Sequence, residues 1–189
     1  MAVNAAILSL IIAFIRRGRV SGIADVFDQA RHFWLIVVPL VLVLGLWFGG
    51  SVIPPVIWRP LAGWIHIVYT IAFICFFAAN LKFTGMWFMM IGQLMNLLPV
   101  VANAGKMPVS EAASKIAGAG DVHGEFLRHV AMSDTTRFNF LSDVIPIPFK
   151  YIPGGVISPG DILIAVGLFV LIQVAMCPRK KRQAGAQDA

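Results

Sequence analysis

Charge is what this sequence has least of. Only 13% of its residues are Asp, Glu, Lys or Arg, against 59% apolar, and the mean hydropathy is +0.84. A soluble domain carries about a quarter charged residues, so composition argues against one and fits a polytopic membrane protein. Acids are scarcer than bases, nine against fifteen, which leaves a net charge of +6. The basic residues sit beside apolar segments rather than along one soluble face, so membrane topology explains them and a nucleic-acid partner does not. Cysteine is nearly absent. Cys75 and Cys177 fall in separate apolar segments, with no disulfide framework and no metal-ligand spacing. What is present in quantity is aromatic: five Trp and fourteen Phe, suited to interfacial belts and lipid-facing surfaces.

The apolar segments predict an all-α integral membrane bundle of about five transmembrane helices, at 1–15, 33–53, 62–81, 83–101 and 162–177. The first is uncharged and is followed by Arg16, Arg17 and Arg19. A cleavable signal peptide has the opposite order, with charge before the apolar run, so a retained helix is expected. Its fifteen residues span roughly 22 Å, short of the roughly 30 Å of hydrocarbon. Ser21–His32 reads as an amphipathic connector in the interface, with Ser21 as its cap and Ile23, Val26, Phe27 and Ala30 at helical spacing. His66, inside the third span, reads as a lone hydrogen-bonded residue near an aromatic belt. Gln93 and Asn96 share a face of the fourth span and suit hydrogen bonds to another helix.

The chain then forms a polar loop, 104–160, expected to hold short helices. His123, Glu125 and His129 within it have the wrong spacing for a helical metal set, because three or four residues, not six, make helical neighbours. Asp134, with Thr135 and Thr136, reads as a capped helix start. Residues 179–189 form a basic tail that opens with Arg179, Lys180, Lys181 and Arg182, while 1–178 make one transmembrane domain. Counting Lys and Arg near helix ends favours the N-terminus outside and the C-terminus inside, with loop 104–160 extracytoplasmic.

Two carboxylates frame the functional question. Asp143 precedes a loop rich in Pro and Gly, and Asp161 follows it at the start of the last apolar helix. Ser158, Pro159 and Gly160 ahead of Asp161 make a plausible helix start: a capping hydroxyl, a proline in the first turn, then an acid facing the positive end of the helix dipole. An ionisable group at membrane depth costs on the order of 2 to 3 kcal/mol at a helix centre and less near the surface, so it tends to be functional. If the loop folds back, Asp143 and Asp161 come together. Asn103, Lys106, Arg137 and Ser158 are then candidates to orient or neutralise the pair, and no metal or other cofactor is implied.

The strings NAGKMPV, TTRFNFLSDVIPIP and SPGDILIAVGLFVLIQ, with RRGR and NLKFTGMW, resemble a bacterial family of small polytopic membrane proteins of unknown function. That resemblance covers nearly the whole chain, although Ala104 stands where glycine is expected, and it implies the bacterial inner membrane without any activity. A more distant similarity is to the lipoprotein signal peptidases, four-helix aspartic proteases. LSDVI supplies Asp143 and SPGDILIAVG supplies Asp161 and Gly167, but Ser158 stands in place of asparagine and the Gly-Asn-x-x-Asp-Arg string is missing. Two expectations follow. One is a non-enzymatic accessory or scaffold protein, held among membrane lipids or in a larger membrane complex, with the aspartates capping helices or pairing with Lys106, Arg137 or Lys150. The other is an aspartic hydrolase-like, or lipid- or lipoprotein-binding, protein that uses Asp143 and Asp161. A transporter fits less well, since no internal repeat is visible.

Overall fold

A computed structural model of the chain describes residues 1–49, 52–118, 128–148 and 155–178. It is mostly helical: α1 (Ala2–Ile15), α2 (Ser21–Gln29), α3 (Trp34–Gly49), α4 (Pro55–Ala79), α5 (Met86–Ala102), the short α6 (Glu111–Ala117) and α7 (Pro159–Met176). Two of these, α4 and α7, are long and apolar enough to cross a membrane. The α2–α3 pair makes a third if its 97° bend lies within one span. Helices α1 and α5 are apolar but shorter, at 14 and 17 residues. At about 1.5 Å per residue even α5 reaches only about 25 Å. The expectation of about five spans is therefore not confirmed by length. Proline at 55 moves the start of α4 ahead of the expected position, because its fixed φ suits a first helical turn. Val20, not Ser21, caps α2, and no side-chain cap bond forms there.

The closest packing joins α5 to α7. A Cβ on Gly167 would stand 2.6 Å from the carbonyl of Gly85, and one on Gly92 would meet the carbonyl of Gly160. Both helices carry their glycines seven apart, so the pairs match only if the helices run antiparallel. Small residues let two backbones approach and gain dispersion where lipid gives no hydrophobic drive. Helix α1 lies along the other side of α7 and runs parallel to it. There Gln173 Nε2 donates to the carbonyl and the hydroxyl of Ser9 at 2.6 and 2.9 Å, and Arg16 Nη1 donates to Gln173 Oε1 at 2.7 Å. Helix α4 runs antiparallel to α5, with Phe76 and Phe77 against Met86 and Met89.

These directions sort the charges. Arg16, Arg17, Arg19, Arg31 and Lys82 gather at one end, where the fully buried Asn80 bonds both the N–H and the carbonyl of Arg31 and Lys82 Nζ donates to Gln29 O. At the other end the polar segment makes strands as well as the expected short helix. β1 (Met107–Val109) pairs in parallel with β2 (His129–Ala131). On its other edge β1 meets Asp143, whose N–H donates to Pro108 O and whose carbonyl accepts from Ser110 N–H. β3 (Ile145–Pro146) pairs antiparallel with β4 (Val156–Ile157), so the chain folds back between Asp143 and α7. Asp134 opens a turn rather than a helix, since the Thr136 hydroxyl bonds within 133–139 and only a 3-10 turn, Asn139–Leu141, follows.

Overpacking a close helix contact costs about 1 to 3 kcal/mol. Gly167→Ala should lower the unfolding temperature of the detergent-solubilised chain accordingly. Gly45→Ala, where a Cβ meets nothing within 4 Å, should not. Equal stability of the two variants would remove the glycine contact from its central place.

Candidate functional site

Asp143 and Asp161 line one cavity of about 200 Å³ where α4, α5 and α7 meet the strand layer. Each arrives there for a local reason. Asp161 closes the start of α7: Ser158 Oγ accepts from Asp161 N–H at 3.0 Å, and Asp161 Oδ2 accepts from Ser158 N–H at 3.2 Å. Such a reciprocal box satisfies two backbone donors that the helix leaves unpaired. Asn96 of α5 completes a triangle. Its Nδ2 donates to Asp161 Oδ1 at 2.9 Å, and its Oδ1 accepts from Ser158 Oγ at 2.7 Å. Asp143 is placed by its backbone, held on the edge of β1 as described, and is only 7% exposed.

The opposite edge of β1 carries β2, so His129 faces the same void, with its Nε2 3.7 Å from Asp143 Oδ2. That separation is too long for a good hydrogen bond. Burial, reinforced by the negative charge of Asp161, pushes the Asp143 carboxyl up to about 8. Burial, reinforced by the Arg128 guanidinium and opposed by Asp161, lowers His129 to about 4. At neutral pH the contact is therefore between a protonated acid and an uncharged imidazole, not an ion pair. Since 40% of the His129 side chain stays open, water tempers its shift, and its direction is what carries weight.

The rest of the wall comes from α4 and α5. His66, Tyr69 and Thr70 stand on one face of α4, and Gln93 and Asn96 on one face of α5. His66 Nδ1 donates to Gly105 O at 2.8 Å, so the neutral ring keeps its bare nitrogen at Nε2. This requires Gly105 itself, whose φ of +82° and contact with Gly63 leave no room for a side chain. His66 stacks on Tyr69 with ring centroids 5.0 Å apart, and Arg128 Nη1 reaches the Tyr69 hydroxyl at 3.5 Å.

Of the residues expected from sequence to serve the aspartates, Ser158 touches Asp161 directly, as described. Asn103 and Arg137 bind each other instead: Asn103 Nδ2 donates to Arg137 O at 2.9 Å, and Arg137 N–H donates to Asn103 Oδ1 at 2.9 Å. This clamp ties the strand layer to the end of α5. Lys106 lines a different cavity, beside Arg59. Lys150, His123, Glu125, the loop tip 149–154 and the tail 179–189 lie outside the described residues. Sequence reading missed His66, Tyr69, Arg128 and His129 as partners of the aspartates. The available signal was the polar stripe His66, Tyr69, Thr70 at i, i+3 and i+4 within an apolar helix, matched by Gln93 and Asn96 on the next.

The chain belongs to a family of membrane-compatible helical proteins with no known activity. Residues 29–173 match the family described as Family of unknown function (DUF5317). An uncharacterized protein of Thermotoga maritima is 34% identical over 113 residues, covering 57% of this chain. The match spans 63% of that relative's own length. No solved structure matches. The likeness to lipoprotein signal peptidases is not shown by either match.

The two shifts give opposite pH dependences. Asp143, raised when folded, contributes stability that is complete below about 4 and is lost as pH rises toward 8. His129, lowered when folded, contributes stability that is complete above 6.5 and is lost as pH falls toward 4. Arg128, Asp161, His66 and Tyr69 face both groups, so the comparison is variant against parent. Asp143→Asn should gain stability over the parent as pH rises from about 4 to 8, by up to about 1.4 kcal/mol per pH unit. His129→Gln should gain over the parent as pH falls from 6.5 to about 4. Unfolding midpoints of the solubilised proteins measure both, and differences that stay flat with pH would contradict the burial of these groups.

Proposed function

We propose that the chain is a non-enzymatic polytopic membrane protein that holds an acceptor-rich polar group, borne by a lipid or a membrane partner, in the cavity beside Asp143. The observation that supports this is the unequal state of the two carboxyl groups. Both Asp161 oxygens are engaged, Oδ1 by Asn96 of α5 and Oδ2 by the Ser158 N–H of the α7 cap, a structural commitment that a general base would have to loosen in each turnover. Asp143, protonated at neutral pH, is instead a donor. Arg128, Tyr69 and Gln93 line the same void with further N–H and O–H groups. Four donors around about 200 Å³ suit a carbonyl- or phosphoryl-bearing group rather than a whole lipid.

The orientation that accompanies this reading is that of a bacterial inner-membrane protein with the cavity side outside. Its support is the gathering of Arg16, Arg17, Arg19, Arg31 and Lys82 at the opposite end.

One observation favours a second reading, an aspartic hydrolase. A protonated Asp143 and a charged Asp161 lining one void divide the labour as such dyads do. Asp161 would take a proton from water while Asp143 gives its own to a carbonyl oxygen.

Covalent labelling tests the protonated Asp143 that both readings need, and a cleavage assay separates them. A carbodiimide activates the protonated form of a carboxyl. A membrane-impermeant carbodiimide with an added amine should therefore modify Asp143 at neutral pH in spheroplasts, with the adduct located by peptide mass spectrometry. Modification confined to inside-out vesicles contradicts the orientation, and none in either preparation contradicts an accessible protonated Asp143. If the purified chain cleaves a lipopeptide amide, and Asp143→Asn and Asp161→Asn each abolish this, the hydrolase reading takes over.

A further inference from the structure

A larger cavity, about 530 Å³, opens at the same end of the bundle on an apolar flank of α4 and α5. Its lining pairs two cations, Arg59 and Lys106, with the apolar side chains of Trp64, Ile67 and Val101. Arg59 is the lone basic residue between Arg31 and Lys82 in sequence, which sets it apart in a stretch otherwise given over to apolar residues.

The apolar surface does not stop at the cavity. Along α4 it continues through Val68 and Ile71, and along α5 through Leu98 and Leu94, each 42–50% exposed. Because α4 and α5 are antiparallel, ascending numbers on one and descending numbers on the other both lead away from the cations, toward the middle of the bundle. Trp64, 68% exposed, stands between the charged and apolar parts, the level at which indole rings sit in a bilayer. A cation pair above two apolar tracks is complementary to an amphiphile with an anionic head and hydrocarbon tails. Guanidinium matches phosphate oxygens in a bidentate fashion, and ammonium adds a point charge. A zwitterionic head group would bring its own cation to the same place and lose the advantage.

We infer that this cleft binds one anionic phospholipid, with its phosphodiester at Arg59 and Lys106 and its acyl chains along α4 and α5. The site is separate from the Asp143 cavity and does not depend on what that cavity holds. It also gives Lys106 a role other than orienting the aspartates.

The test is native mass spectrometry of the full-length chain in mild detergent, titrated with phosphatidylglycerol or with phosphatidylcholine of the same acyl chains. The parent should retain the first phosphatidylglycerol in preference to phosphatidylcholine. Arg59→Gln and Lys106→Gln should each weaken that first step about fivefold, as expected for one cation near a membrane surface. Arg17→Gln, at the far end, should leave it unchanged. Should either glutamine variant fail to fold, the charge-keeping variants carry the comparison with Arg17→Gln: Lys106→Arg should retain the preference in full, and Arg59→Lys, which gives up the bidentate fork, should retain it in weakened form. Glycerol 3-phosphate should compete poorly, because it lacks the chains. Equal retention of the two lipids, an equal loss in Arg17→Gln, loss of the preference in the charge-keeping variants, or competition by glycerol 3-phosphate as strong as by the lipid would overturn the assignment.

Discussion

The contact between α5 and α7 is the constraint from which the rest follows. Two glycine pairs let the backbones touch, and the Asn96–Ser158–Asp161 triangle locks one end of that contact. A buried polar triangle of this kind is costly unless every member is bonded. Here the serine hydroxyl both donates and accepts, and both carboxylate oxygens are used. With the start of α7 fixed against α5, the β3–β4 hairpin has to return there, and Asp143 is carried to the same wall.

Placement of Asp143 then sets the electrostatics. The carboxyl has no cation in hydrogen-bond contact among the described residues, and a neighbouring carboxylate disfavours its charge. Keeping the proton is the less costly outcome. The helix dipole and its capping partners suit Asp161 to the charged role, so two acids 18 positions apart in sequence take different parts because one sits at a helix terminus and the other at a strand edge. Helices α4 and α5 supply the remaining wall, and Gly105 adds precision by holding His66 from behind.

Much of this architecture was legible in the chain itself. Ser158-Pro-Gly-Asp161 announces the α7 cap, and the structure forms it. Gln93 and Asn96 share a face, and Asn96 does bond another helix. The return of the loop between the aspartates was likewise readable from its prolines and glycines. Other features were not readable, for identifiable reasons. The strand pairing of 107–109 with 129–131 joins segments 22 residues apart, each only three residues long, too short for alternation to show. His129 was considered only against metal spacing, because the strand edge opposite Asp143 has no local signature. The Asn103 side-chain amide finds the backbone N–H and carbonyl of Arg137, not its guanidinium, which the side-chain chemistry of Arg137 does not forecast. Lys106 lines the cavity that Arg59 also lines, just past a turn in which Ala104 and Gly105 take positive φ of 55° and 82°.

The central claim is that Asp143 stays protonated at neutral pH because it is buried beside the charge of Asp161. Infrared difference spectroscopy on chain carrying isotope-labelled aspartate reads that proton directly, through the C=O stretch of a neutral carboxyl. The account predicts a labelled band that is present at pH 7, is missing in Asp143→Asn, titrates near 8, and moves to lower pH in Asp161→Asn. A band that has vanished by about pH 5, in the range of an ordinary carboxylate, or that is indifferent to Asp161→Asn, would contradict it.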